Sequence, residues 1–327
     1  MTILLTGAAG FIGYHTALRL LDRGERVVGV DNLNDYYDPR LKEARLEQLR
    51  KRNNFSFHRA NIADGSAMDA IAAATPDIDR VVHLAGQVGV RYSLVNPQAY
   101  IDSNVTGQLV MLEMARRLDR LRHFVYASSS SVYGANTKLP FAVGDPVDQP
   151  VSPYAATKRA GELLSLGHSR LYRLPITGLR FFTVYGPWGR PDLSYYLFTK
   201  AILAGEPIRV FNKGDMKRDF TYIDDIVDGV VAALDCEPPA MPDGEPPHRL
   251  YNLGNHRAEP LMRFIQVIEN SCGRKAKLDL QPMQPGDIRE TYADIESSTR
   301  DLGFRPKTTI DEGLPRFVAW YRDHHGL

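Results

Sequence analysis

Two clusters of side chains in the middle of the chain are suited to moving protons. Ser128-Ser129-Ser130-Ser131 presents four consecutive hydroxyls, and Tyr154-Ala155-Ala156-Thr157-Lys158 places a phenol and an ammonium four residues apart. Residues at that spacing share one face of a helix. The ammonium of Lys158 can therefore sit near the phenol of Tyr154 and favour its ionised form. A free phenol titrates at about pH 10 and needs such a cation before it can act as a base near neutrality. The run HFVYASSSS reads as a strand that ends in hydroxyls. Open α/β sheets bind their ligands at the carboxyl ends of such strands.

The elements that position these groups follow from the chain start. Ile3-Leu4-Leu5 and then TGAAGFIG read as a short apolar strand, a glycine-rich turn and a helix that stops at Gly24. Gly7 suits the tight turn, Gly10 the close approach of backbone to a pyrophosphate, and Gly13 the packing of helix on strand. The second strand, Arg26 to Val30, ends at Asp31, where a carboxylate can accept hydrogen bonds from an adenosine ribose and repel a 2′-phosphate. This favours NAD over NADP. Pro39 can open a helix carrying Arg40, Lys42, Glu43, Arg45 and Glu47, read as a solvated face. Further elements are Phe55-Ser56-Phe57, a helix around Met68 to Ala74, and the strand Val81 to Leu84 leading into Ala85-Gly86-Gln87. His83 in that strand reads as a packed core histidine. Pro97 to Leu118 reads as one long helix holding Asn104 in its first half, and the helix after Lys158 runs to about Tyr172. With a strand at Ile176–Arg180, this alternation predicts an α/β fold with a right-handed, doubly wound parallel sheet.

Beyond that strand the chain turns rich in Gly, Pro and aromatics, as in a smaller domain closing over a ligand. The expected division is a Rossmann domain over residues 1–180, receiving a later segment near 220–255, and a smaller α/β substrate domain over 181–327. Residues 236–248, CEPPAMPDGEPPH, read as a surface loop.

The chain has 327 residues, 43% hydrophobic, enough for a full core. Lys and Arg (40) nearly cancel Asp and Glu (39), so no global field favours nucleic acid or an anionic membrane. A strand beginning by Ile3 leaves no room for a signal peptide, and no apolar run nears the roughly 20 residues of a membrane span. Cytoplasmic location is the expectation. Cys236 and Cys272 have no metal-type spacing and read as reduced, structural thiols.

TGAAGFIG, the Asp31 strand end, HLAGQ, YASSSSVYG, SPYAATK, LRFFTVYGP and RDFTYIDD, in this order over nearly the whole chain, resemble the extended short-chain dehydrogenase/reductase family of nucleotide-sugar-modifying enzymes. DNLNDYYDP, VGVRYS, GANTKLPF, FFTVYGPWGRPD and MQPGD resemble, more narrowly, its UDP-glucuronate 4-epimerases. The resemblance implies a tightly held NAD, a UDP-sugar substrate, a homodimer and a catalytic set of Ser129, Tyr154 and Lys158. The implied reaction interconverts UDP-glucuronate and UDP-galacturonate through a 4-keto sugar.

The expected cofactor contacts are Gly7, Gly10, Phe11, Ile12, Gly13, Asp31, Asn32, Asn61, Ile62, Leu84, Ala85, Gly86, Gln87 and Asn104, with Tyr154 and Lys158. By resemblance Arg218 meets the pyrophosphate, Asp287 a nucleotide ribose hydroxyl, and Thr183 the sugar. Ser129, Ser130 and Ser131 face the sugar as well, and Arg91 or Arg190 its carboxylate. The competing readings are a UDP-glucose 4-epimerase, a 4,6-dehydratase, a UDP-glucuronate decarboxylase and a non-enzymatic NAD-sensing module. Dehydratases of the family carry Asp-Glu at the positions of Ser130-Ser131 and decarboxylases the Glu alone. Hydroxyls at both positions argue against these two.

Overall fold

Ile3, Leu4 and Leu5 are fully buried because the strand they build, β1 (Thr2–Thr6), has apolar neighbours on both faces. Such a run belongs inside a parallel sheet covered by helices. The computed structural model describes residues 1–239, 244–283 and 288–327. β1 is followed by α1 (Phe11–Asp22), β2 (Arg26–Asp31), α2 (Pro39–Arg50), β3 (Phe55–Arg59), α3 (Gly65–Ala74) and β4 (Arg80–His83). Then come α4 (Pro97–Tyr100), a π-helical stretch Ile101–Thr106, α5 (Gly107–Ala115), β5 (His123–Ser129), α6 (Pro153–Tyr172) and β6 (Ile176–Phe181). The remainder is built of β7 (Thr183–Tyr185), α7 (Ser194–Ala204), β8 (Pro207–Val210), β9 (Lys217–Arg218), β10 (Phe220–Tyr222), α8 (Ile223–Asp235) and β11 (His248–Leu253). It ends with β12 (Glu259–Pro260), α9 (Leu261–Cys272), β13 (Lys277–Leu280), β14 (Glu290–Thr291), α10 (Glu296–Leu302) and α11 (Ile310–His325).

Seven parallel strands in the order β11-β6-β5-β4-β1-β2-β3 form the central sheet. The fold is thus the doubly wound parallel α/β sheet, of Rossmann type, that the alternating elements predict. The chain leaves β1 toward β2 and β3, then crosses back to β4 on the other side. That reversal opens a crevice at the carboxyl ends of β1 and β4. Ile3 and Leu5 belong to one core layer with Leu20 of α1 and Ile226 of α8. Leu4 faces the other, with Met68 of α3 and Met111 of α5. β11 enters this sheet beside β6 from late in the chain. The small sheets β7–β10, β8–β13 and β12-β9-β14 lie outside it.

Two expectations change. The charges on α2 are not one solvated face: Arg45 is fully buried and Lys42 nearly so, because both have polar partners waiting inside. Arg45 donates to three carbonyls and a phenol, and Lys42 Nζ to Asn34 Oδ1 at 2.6 Å. The long helix of residues 97–118 is one helical run with a π segment inside it, and Asn104 lies in that segment. Such wide turns concentrate at functional sites. Of the loop at 236–248, residues 240–243 lie outside the described residues.

Candidate active site

At the crevice lies a cavity of about 350 Å³. Its floor is the glycine-rich turn. Gly7 has a left-handed φ of 75°, its N–H donates to the Val30 carbonyl at 2.7 Å, and a Cβ there would meet Ala85 N at 2.8 Å. A Cβ on Gly13 would sit 2.0 Å from the Gly7 carbonyl. Only glycine lets these backbones close. Gly10, the N-cap of α1, has no side chain to cap the first turn, so the helix N-terminus is left for an anion. At the end of β2 the Asp31 carboxylate accepts from Ala9 N at 3.2 Å and Leu33 N at 2.9 Å, which fixes it at the cavity edge.

The proton-handling groups meet on the opposite wall. Ser129 is the last residue of β5, and the chain then turns into a short 3-10 helix, Ser130–Tyr133, whose first N–H groups are capped when Ser131 N donates to Ser129 Oγ at 3.2 Å. α6 starts under Ser152, which accepts from Ala155 N at 3.1 Å, and carries Tyr154 and Lys158 into the cavity. Burial raises the Tyr154 pKa, while the Ser129 hydroxyl and the Arg190 guanidinium act to lower it and Asp192 opposes them. Lys158 Nζ donates to the Ala127 carbonyl at 3.0 Å. Its pKa is pushed down to about 8 by burial, with Glu162 acting in the other direction.

A second layer holds these groups in place. Glu162, one turn past Lys158, accepts from Ser128 Oγ at 2.7 Å and from Arg180 Nε at 2.8 Å and Nη2 at 2.9 Å. Both ion-pair side chains are 1% exposed. Asn104 Oδ1 accepts from Gln87 N at 2.8 Å, and its Nδ2 donates to the Gln87 carbonyl at 3.0 Å and to Thr157 Oγ1 at 3.1 Å. Asn104 thus ties the strand end after β4 to the helix of Tyr154. His83 is a core histidine, its Nδ1 2.7 Å from Thr6 Oγ1.

Most of the residues named from the sequence meet here. Gly7, Gly10, Phe11, Ile12, Gly13, Asp31, Asn32 and Ile62 line the cofactor side of the cavity, and Leu84, Ala85, Gly86 and Gln87 its middle. Ser129, Ser130, Ser131, Tyr154, Lys158, Thr183 and Arg190 line the reactive side. Asn104 is buried behind the lining, and Asn61, which is exposed, lies outside it. Arg91 is outside it, its guanidinium 4.3 Å from the Phe211 ring centre. Arg218 is also outside, its Nη1 donating to the Lys217 carbonyl at 2.8 Å and the Arg289 carbonyl at 3.1 Å. Asp287 lies outside the described residues. Arg190 pairs with Asp192, Nε to Oδ1 at 3.1 Å, and Tyr36 donates to the same carboxylate at 3.1 Å. Ser128, the first of the hydroxyl run, lines the cavity too, as do Tyr36, Tyr37 and Lys42, which escaped the sequence reading as site residues. The doubled tyrosine in NDYYDP, set in a polar loop, is the signal that would have found the first two.

A parallel sheet with a glycine-floored crevice at its switch point defines a Rossmann-type nucleotide protein. The NAD dependent epimerase/dehydratase family matches residues 3–254, and the chain belongs to that family. UDP-glucuronate 4-epimerase 6 of Arabidopsis thaliana is 45% identical over 100% of this chain and 73% of its own. Protein CapI of Staphylococcus aureus is 46% identical over 99% of both. The UDP-glucuronic acid 4-epimerase from Bacillus cereus, solved in complex with UDP-glucuronic acid and NAD, matches at TM-score 0.89 and 33% identity over 99% of this chain and 100% of that one.

Proposed function

We propose that this chain is a NAD-dependent UDP-glucuronate 4-epimerase that yields UDP-galacturonate by reversible oxidation at carbon 4 of the sugar. The observation that carries the reading is the meeting, in one cavity, of Ser129, Tyr154 and Lys158 with hydroxyls at Ser130, Ser131 and Thr183 and the Arg190 guanidinium. The glycine cradle fits a dinucleotide, since a Cβ on Gly7 or Gly13 would occupy the space that the turn keeps for backbone. NAD, when bound, supplies a hydride acceptor for carbon 4 that can return the hydride to the opposite face, with no net redox change.

The chain's own work is proton transfer and grip. Tyr154 Oη takes the proton of the 4-hydroxyl and gives it back on the return, with Ser129 hydrogen-bonding the reacting oxygen. Lys158 and Arg190 supply the positive charge that a phenolate in a buried site requires. Asp31, fixed at the cavity edge, would meet the adenosine ribose of the bound cofactor, which favours NAD over NADP. Arg190, which lines the cavity, is favoured over Arg91 for the sugar carboxylate. Arg218 in KRDF is assigned to the pyrophosphate and Asp287 in PGD to a nucleotide ribose hydroxyl. In this reading residues 1–180 with a later segment near 220–255 hold the cofactor, and the rest of 181–327 the UDP-sugar.

Exposed Ile101, Leu109, Leu163, Leu171 and Tyr172 on the run α4–α5 and on α6 support a homodimer through a four-helix bundle. Two free thiols, Cys236 and Cys272, support a reducing compartment such as the cytoplasm. Among the described residues no helix is long and apolar enough to cross a membrane.

The test is to incubate the purified protein with UDP-glucuronate, without added NAD, and identify the product sugar by NMR. UDP-galacturonate is expected. A UDP-pentose as main product, or no reaction with NAD confirmed on the protein, would overturn the reading.

A further inference from the structure

The loop of residues 186–192, which brings Arg190 into the cavity, is fastened along its length to the cofactor half of the chain. His15 on α1 shares a 3.0 Å hydrogen bond with the Pro187 carbonyl, and Trp188 packs against Tyr14 of the same helix at 5.5 Å between ring centres. Trp188 has a left-handed φ of 60°, a conformation that residues with bulky side chains seldom adopt. That backbone presents its carbonyl to Arg45, which donates to it from Nε at 3.1 Å and from Nη2 at 2.6 Å. Nη2 also reaches the Gly189 carbonyl at 3.2 Å. From its other side the same guanidinium donates, through Nη1, to the Ala9 carbonyl at 2.8 Å and to Tyr37 Oη at 2.8 Å. Ala9 belongs to the glycine-rich turn, and its own N–H donates to Asp31.

Arg45 is fully buried, and its acceptors among the described residues are three carbonyls and a phenol, with no carboxylate. A planar fork with five donors can hold two loops at once, whereas a lysine ammonium is a point donor that reaches one of them. The next N–H along the loop, that of Arg190, is taken by Tyr195 Oη at 3.0 Å. Arg190 therefore leaves a backbone whose position is set from both sides.

We propose that Arg45 is a positioning residue that locks residues 188–190 onto the glycine-rich turn, so that seating of the cofactor and the reach of Arg190 toward the substrate acid are coupled through one buried side chain. The inference rests on the reading of Arg190 as the cation that meets the sugar carboxylate.

Arg45→Lys and Arg190→Ala, singly and together, test it with two readouts. One is NAD retained by the purified protein, measured by mass spectrometry of released nucleotide. The other is the ratio of kcat/KM for UDP-glucuronate to that for UDP-glucose. Arg45→Lys is expected to lower retention and, assayed at saturating added NAD, to lower the ratio about tenfold or more, mainly through KM for UDP-glucuronate, with kcat on UDP-glucose within about threefold. In the Arg190→Ala background the ratio should no longer respond to Arg45, while the loss of NAD persists. A ratio that ignores Arg45→Lys, or that falls by the same factor with and without Arg190, overturns the coupling. A wild-type ratio near one overturns the functional reading and this inference with it. Where Arg45→Lys fails to fold, Tyr37→Phe removes one acceptor and leaves the guanidinium in place. It should lower the ratio in the same Arg190-dependent direction, and an unchanged ratio overturns the proposal.

Discussion

Tyr154 and Lys158 are each held in the form less useful for catalysis by the same burial that positions them. The phenol is raised and the ammonium is lowered to about 8. The active form of this pair is phenolate with ammonium, and burial places the ammonium's pKa below the phenol's, so kcat/KM should rise with pH, level off above about 8 where Lys158 titrates, and fall only as pH passes the raised phenol pKa. Lys158→Met should slow the reaction and remove the levelling near 8, so that the rise continues to the pH at which the phenol, without its cationic neighbour, ionises on its own. An unshifted profile in the variant would refute the pairing. Tyr154→Phe keeps the ring and removes the ionisable oxygen. Turnover should drop by at least about 10²–10⁴, with UDP-sugar binding by calorimetry little changed. The hydroxyls nearby have a different task. Oxidising carbon 4 of a glucuronate creates a β-keto acid, which keeps its carboxylate only while that group is held out of line with the ketone. In the proposed function Ser130 and Thr183 would each donate to that carboxylate, and a hydrogen bond to a charged group contributes roughly 1.5–3 kcal/mol. Ser130→Ala or Thr183→Ala should therefore raise the fraction of UDP-pentose in the product, read by NMR, and an unchanged product mixture would remove these two residues from that role.

The elements that deliver these side chains depend on polar contacts between distant segments. α6 is joined to β6 behind the site by the buried Glu162–Arg180 pair and to β5 by Ser128 on the same carboxylate, with Tyr133 bridging from Arg180 to Asn252 of β11. Arg180→Met leaves the buried Glu162 carboxylate with the partly exposed Arg159, Nη1 to Oε2 at 2.9 Å, as its remaining cation among the described residues, so the fold should be destabilised by up to about 3–5 kcal/mol in denaturant unfolding. Glu162→Met together with Arg180→Met should recover much of that loss. A double variant as unstable as the single one would show that the pair does more than satisfy its own charges. The π segment works at the same scale, because a regular α-helix through residues 101–106 would rotate Asn104 away from Gln87 and Thr157.

At the scale of the molecule, the switch point between β1 and β4 sets where ligands meet, and the segments after β6 complete the cavity with Phe182, Thr183 and Arg190. The outer surface of α6 is left with Leu163 at 52% and Leu171 at 73% exposure, more apolar area than a solitary helix face usually shows to water. Sedimentation at micromolar concentration should give a dimer, and Leu163→Glu with Leu171→Glu should convert it to a monomer that still retains NAD. A wild-type monomer would return these helices to the ordinary role of covering the sheet.

What the sequence by itself determined is whatever depends on neighbours in the chain. The glycine spacing of residues 7–13, the i to i+4 placement of Tyr154 and Lys158, the hydroxyl run at the end of β5 and the alternation of strand and helix are short-range geometry. All of them appear in the structure where the sequence places them. Tertiary structure decided which charges are buried. Arg45 and Lys42 sit on a helix that looks solvated in sequence, yet the carbonyls that make burial of Arg45 tolerable belong to Ala9, Trp188 and Gly189. Tertiary structure also decided that Arg190, rather than Arg91, enters the cavity, because Tyr195 and Arg45 fix the loop of the one while the other packs on Phe211. A charge is accommodated inside a protein by hydrogen-bond partners brought from far along the chain, and local spacing carries no record of them.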